Sequence, residues 1–106
     1  AGNGITSWAA AGSRMAYKDI HGLSDRDAAL DRVLAAKVYD FNYREGKPGT
    51  GDLDTLYRGV MAEDAPWWMH YQGGILNPIN TFGDTALSIQ ALHAKIAKLE
   101  AKLAQN

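Results

Sequence analysis

Between Ser24 and Gly46 the apolar residues Leu30, Val33, Leu34, Val38 and Phe41 recur at helical spacing, while Asp31, Arg32, Asp40 and Arg44 fall mostly outside that stripe. Such a one-sided apolar period predicts an amphipathic helix. Ser24 with Asp27 three residues on supplies a variant of the capping box at its start, and Gly46 with the turn segment KPGTG (47–51) predicts its end. Three more helices follow from the same reasoning. The first, capped by Thr6 or Ser7, carries Trp8, Ala11, Met15 and Lys18 or Asp19 and stops near Gly22. Another starts at Asp52, turns Leu53, Leu56, Tyr57, Val60 and Met61 inward, and ends by Asp64 and Pro66. The last is capped near Asp84 or Thr85 and continues through ALSIQALHAKIAKLEAKLAQ. No strand-period segment competes with these helices. The expected fold is therefore all-α, a small bundle of about four helices, with an irregular aromatic loop over 66–83 and a coiled-coil-like helix over 84–106 closing a single domain. Residues 1–83 form the helical body in this reading.

Along the last helix Ile89, Leu92, Ile96, Leu99 and Leu103 are spaced 3, 4, 3, 4, the seam of a coiled coil with Ile89, Ile96 and Leu103 at a and Leu92 and Leu99 at d. Lys95 and Lys102 then occupy g, and His93 and Glu100 occupy e. A parallel partner sets Lys95 opposite Glu100 of the second copy, whereas an antiparallel one opposes like charges, so a parallel homodimer is favoured. The same stripe also suits packing on the Ser24–Gly46 helix inside one molecule. Two heptads alone are too short to hold a coiled coil, so a further contact is needed.

The aromatic loop opens with PWWMHYQGG (66–74). Adjacent side chains diverge by about 100° on a helix and about 180° on a strand, so Trp67 and Trp68 cannot face the same way in regular structure. One can anchor the core while the other faces out. An outward indole beside His70, Tyr71 and Gln72, with Asn77 and Asn80 near by, offers a flat apolar face ringed by hydrogen-bonding groups, suited to a sugar ring or a protein contact. The alternative is that both tryptophans plug the gap between helices.

Composition narrows the function classes. Eleven Lys and Arg against 12 Asp and Glu leave a net charge of −1, so nothing draws the chain toward nucleic acid or an anionic membrane. No apolar run approaches the roughly 18–20 residues that cross a bilayer, and no start resembles a signal peptide. The opening AGNG, without Met, suits a mature fragment or an excised domain. Without cysteine there are no disulfides and no thiolate ligands. His21, His70 and His93 stand in no metal-binding spacing, and no cofactor motif is present. Carboxylates are plentiful, and pairs such as Asp52 with Asp54, or Glu63 with Asp64, invite a hydrolytic reading, but each has a simpler role at a helix end. No catalytic residue is expected.

The stretches WWMHYQGGILNPIN and IQALHAKIAKLEAKL together resemble the C-terminal cell-wall-binding domains of mycobacteriophage endolysins, over residues from about Trp67 to the end of the chain. The resemblance implies a non-catalytic targeting domain, attached to peptidoglycan-cleaving domains of a parent phage lysin and docking it on bacterial cell-wall glycan. It carries over no ligand residue by motif, so the binding candidates stay Trp67, Trp68, His70, Tyr71, Gln72 and Asn77. A phage structural or assembly protein, joined through its last helix with its aromatics in the interface, is the rival expectation.

Overall fold

The computed structural model describes residues 13–70 and 74–105. Among them, two α-helices carry the fold. Helix α1, Arg26–Ala35, is capped by Asp25, whose carboxylate accepts from the backbone N–H groups of Asp27 and Ala28. A carboxylate at that position also complements the positive end of the helix dipole, so the cap falls on Asp25 rather than on Ser24. Helix α2, Pro78–Ala104, has 27 residues and is about 40 Å long. Asn77 caps it by accepting from the Asn80 N–H, and Pro78 sits where its missing N–H costs nothing.

The two helices lie side by side and run antiparallel. Arg32 of α1 reaches Asp84 near the start of α2, while Asp27 at the start of α1 lies 3.8 Å from Lys95, further along α2. The positions buried on them are Ala29 and Leu30 on α1, and Asp84, Ser88 and Ala91 on α2. Small residues at a helix contact let the backbones approach closely. Around this contact sit Ala62, Ala65 and Trp68, from the 3₁₀ turns Ala62–Asp64 and Pro66–Trp68. Among the described residues Trp68 is the one large aromatic in this small core.

Between the helices run two short antiparallel hairpins. In the first, β1 (Tyr39–Phe41) pairs with β2 (Tyr57–Gly59) in the register Tyr39 to Gly59, Asp40 to Arg58 and Phe41 to Tyr57. Alternation sends Phe41 and Tyr57 to one face, where they stack at 5.8 Å and meet Tyr43 edge-on. Asp40 and Arg58 pair at 3.1 Å on the other, exposed face. In the second hairpin, β3 (Met69–His70) pairs with β4 (Ile75–Leu76), and the Asn77 N–H donates to the Trp68 carbonyl at 2.6 Å, tying the start of α2 to the tryptophan turn.

The architecture is not an all-α four-helix bundle. The expected first helix falls largely outside the described residues, and from Ser13 to Gly22 the chain makes only the single 3₁₀ turn Met15–Tyr17. The helix expected over 24–46 ends at Ala35, because Tyr39 and Phe41 flank Asp40 at the strand period and find partners in β2. The helix expected from Asp52 is replaced by a turn and a strand. The Asp52 carboxylate closes a local loop on the N–H groups of Asp54 and Thr55 and on the Thr55 hydroxyl, the competition with helix that short polar side chains offer. Finally, α2 begins at Pro78, six residues before the expected Asp84, so the stretch read as irregular loop supplies its first turns.

The described chain is elongated, with extents of 61 × 37 × 22 Å and a radius of gyration of 18.0 Å. A compact chain of this length has a radius near 13 Å. The extension comes from α2, whose residues 96–104 are all exposed beyond the reach of α1. No helix among the described residues is long and apolar enough to cross a membrane.

Candidate functional site

The 3₁₀ turn Pro66–Trp68 separates the two tryptophans. Trp68 turns inward and is 3% exposed; Trp67 turns outward and is 38% exposed. Burying an indole requires an acceptor for its N–H, and Asp84 provides one: Trp68 Nε1 donates to Asp84 Oδ2 at 2.6 Å. The same carboxylate receives Arg32 Nε and Nη2, both at 2.8 Å, in a bidentate pair. Three elements distant in sequence thus converge on one carboxylate. The Arg32 hydrogen bonds hold the Asp84 carboxyl below the ordinary carboxylate value against the opposing effect of burial, with the Trp68 N–H adding to the lowering. Arg32 is correspondingly raised.

Trp67 packs against Trp68 edge-to-face, with ring centroids 6.1 Å apart, so the buried indole braces the exposed one. The exposed ring forms a wall of a shallow cleft of about 450 Å³ that also includes Ser24, Arg32, Ile79, Asn80, Gly83 and Leu87. A wider groove of about 670 Å³ lies between the two hairpins, against Phe41, Tyr43, Val60, Met61 and Leu76. Its rings are turned on one another, whereas the smaller cleft joins a free indole face to converging polar groups. The smaller cleft is therefore the better candidate for a ligand despite its size.

Of the binding residues expected from sequence, Trp67 faces the cleft, Trp68 supports it from within, and Asn77 is the cap of α2. The side chain of His70, and Tyr71 and Gln72, lie outside the described residues. Asn80, expected near the outward indole, does line the cleft, whereas sequence reasoning missed Arg32 and Asp84 as members of the same site. Asp84 reads as a helix cap, and only its lone acidic position among apolar neighbours, one turn from Ser88, hinted at burial.

The second feature is the flank of α2. Phe82, Ile89, Leu92, Ile96, Leu99 and Leu103 lie on one side of the helix, with exposures from 45% at Leu92 to 75% at Phe82. The stripe packed on α1, through Asp84, Ser88 and Ala91, lies about 100° away around the axis at 3.6 residues per turn. The intramolecular contact and the heptad seam are therefore different faces of the same helix. Phe82 falls one heptad before Ile89, lengthening the seam to about 32 Å, with Thr85 as a polar residue at the intervening d position.

All four carboxylates of the two expected pairs are exposed rather than set in an apolar pocket. The Thr55 hydroxyl and the backbone N–H groups of Asp54 and Thr55 lower the Asp52 carboxyl, the opposite of what a proton donor needs, and Glu63 and Asp64 are exposed on a 3₁₀ turn. Among the described residues no three His, Asp or Glu side chains group closely enough to hold a metal ion. No protein-family model, curated protein or solved structure matches the chain.

Proposed function

We propose that this chain is a self-assembling module that joins copies of itself through α2, in the manner of a structural or assembly protein. What carries the reading is the bare heptad seam from Phe82 to Leu103, running three heptads on a helix whose neighbouring face is already packed. Scattered apolar residues need no explanation, but an aligned row of six large ones marks an interaction surface. The seam closes on itself when two copies meet, and the helix contact at α1 supplies the extra support that a short coiled coil needs. The copies pair in parallel. Lys95 lies 3.8 Å from Asp27, but both are exposed, and a surface pair contributes only about 0–1 kcal/mol, leaving Lys95 able to meet Glu100 of the second copy. Sedimentation equilibrium tests this directly: the intact chain is a dimer, and Ile96→Asp with Leu99→Lys is a monomer with α1 still folded. A monomeric wild-type chain at high concentration ends the reading.

Trp67 supports a second reading, in which the module binds bacterial cell-wall polymer. Its indole is held outward by a buried partner, which a residue with only a packing role does not require. In a dimer two such sites would engage one repetitive polymer, raising avidity by about 10² to 10⁴ over a single site. Co-sedimentation with purified cell wall tests it. The chain pellets with the wall, and Trp67→Ala leaves it in the supernatant. Equal pelleting of the two proteins removes Trp67 from the site.

A further inference from the structure

Gly83 stands inside α2, where glycine costs about 1 kcal/mol relative to alanine. Intramolecular packing does not explain it: a Cβ built there meets nothing within 4 Å. Nor does backbone geometry, since Gly83 is in regular helix, unlike Gly46 and Gly51, whose φ values of 75° and 83° suit glycine. The position does, however, line the Trp67 cleft. A missing side chain at that wall leaves the helix backbone open to close approach by something outside the chain.

The other groups on the cleft define its chemistry. One wall is the face of Trp67, held in place by Trp68 and through it by Asp84. Arg32 gives Nε and Nη2 to Asp84, leaving Nη1 without an acceptor among the described residues. The side chains of Asn80 and Ser24, which both donate and accept, also have no internal partner among the described residues. The charge of Arg32 is cancelled by Asp84 at 2.8 Å, and Asp25 lies close enough to act on Arg32 as well. An anion gains nothing in such a field, and a cation meets the guanidinium. An uncharged ring with hydroxyls at its rim satisfies every group present: its apolar face lies on the indole, and its hydroxyls take the Nη1 donors and exchange hydrogen bonds with Asn80 and Ser24. The volume of about 450 Å³ falls within the range of roughly 300–1,000 Å³ usual for small-ligand sites.

We infer that the Trp67 cleft is a subsite for a neutral pyranose ring of a glycan, stacked on Trp67 and admitted by Gly83. This deepens the wall-polymer reading of the same cleft by naming its ligand class. The test is titration of the intact chain with triacetylchitotriose and maltotriose as neutral probes and with trigalacturonate as the charged one, followed by indole fluorescence and by the indole N–H signals in NMR. At least one neutral trisaccharide binds with a Kd on the order of 1 mM, and trigalacturonate binds more weakly. Trp67→Ala weakens binding by about tenfold or more, the equivalent of about 1.4 kcal/mol. Gly83→Leu abolishes it while the melting temperature stays equal or rises, which separates blockage of the cleft from damage to the fold. The inference is overturned if no neutral probe perturbs either signal at about 10 mM, if trigalacturonate binds better, or if Gly83→Leu binds like the wild type. A chain that pellets with cell wall yet ignores every neutral probe keeps the wall reading and loses this ligand class. One that binds neutral sugar but stays in the supernatant keeps the cleft and loses the wall.

Discussion

Replacing Asp84 by Asn is the most informative single change, because it removes one charge and almost no volume at the point where α1, α2 and the tryptophan turn meet. The amide oxygen can still accept from Trp68 Nε1, so the buried indole keeps its partner. The amide nitrogen, in the place of Oδ1, then faces Arg32 Nη2 donor to donor, so that hydrogen bond is lost, while Arg32 Nε is left with an uncharged acceptor in the amide oxygen it shares with Trp68 Nε1. Breaking a fully buried ion pair by removing one partner costs about 3–5 kcal/mol. Here the Asp84 side chain is 12% exposed but that of Arg32 is 36% exposed, so water recovers part of the guanidinium's loss. The expected destabilisation is accordingly about 2 kcal/mol after that screening. At roughly 4–8 °C per kcal/mol for a domain of this size, the melting temperature falls by about 8–16 °C. Asp84→Ala leaves the buried Trp68 N–H without an acceptor and costs about 1–3 kcal/mol more. Thermal unfolding by circular dichroism at one fixed concentration measures both, and a double-mutant cycle with Arg32→Met isolates the pair. A loss under about 0.5 kcal/mol for Asp84→Asn, or a cycle with no coupling, refutes the claim that this carboxylate joins the three elements.

The remaining predictions are briefer. Asp84 titrates below its unfolded-state value, so its contribution is fully present above pH about 4 and lost as pH falls through the lowered folded value; acid unfolding curves rise with pH in that window, and Asp84→Asn flattens them. Asn77→Ala removes the cap of α2 and lowers stability by about 1 kcal/mol, read from denaturant midpoints, with no change expected if the Asn80 N–H simply turns to water. Gly83→Ala, entering open space on a helix, raises stability by about 0.5–1 kcal/mol in the same assay. Gly49→Ala drives a methyl group into the Tyr43 ring and costs about 1–3 kcal/mol, detected as loss of near-ultraviolet aromatic signal along with stability.

Sequence patterning located what depends on near neighbours. The period of Ile89, Leu92, Ile96, Leu99 and Leu103 is a local property of a helix, and α2 contains all five. Strands of two or three residues are another matter, since a run that short has too few positions to distinguish periods. Yet Tyr39, Phe41 and Tyr43 alternate, and Tyr57 with Gly59 continues that spacing on the partner, so part of the signal was in plain view. The early start of α2 was also written in Asn77–Pro78, a cap followed by a first-turn proline, but Pro78 and Gly83 read as breakers. Thr81, Thr85 and Ser88 keep their hydroxyls satisfied inside the helix by donating to carbonyls four residues back. Asp84 lay beyond any window: its partner Arg32 is 52 positions away, and only the antiparallel packing of α1 on α2 brings the two together.

Because α1 ends its cover of α2 at Lys95, the final turns have no neighbour among the described residues to repay the entropy of being helical. In the proposed dimer their order becomes a collective property, supplied by the copy that lies alongside. Dilution should therefore shorten α2 from its far end before it disturbs the tryptophan turn, so that the amount of protein present acts as a dial on the length of its own helix.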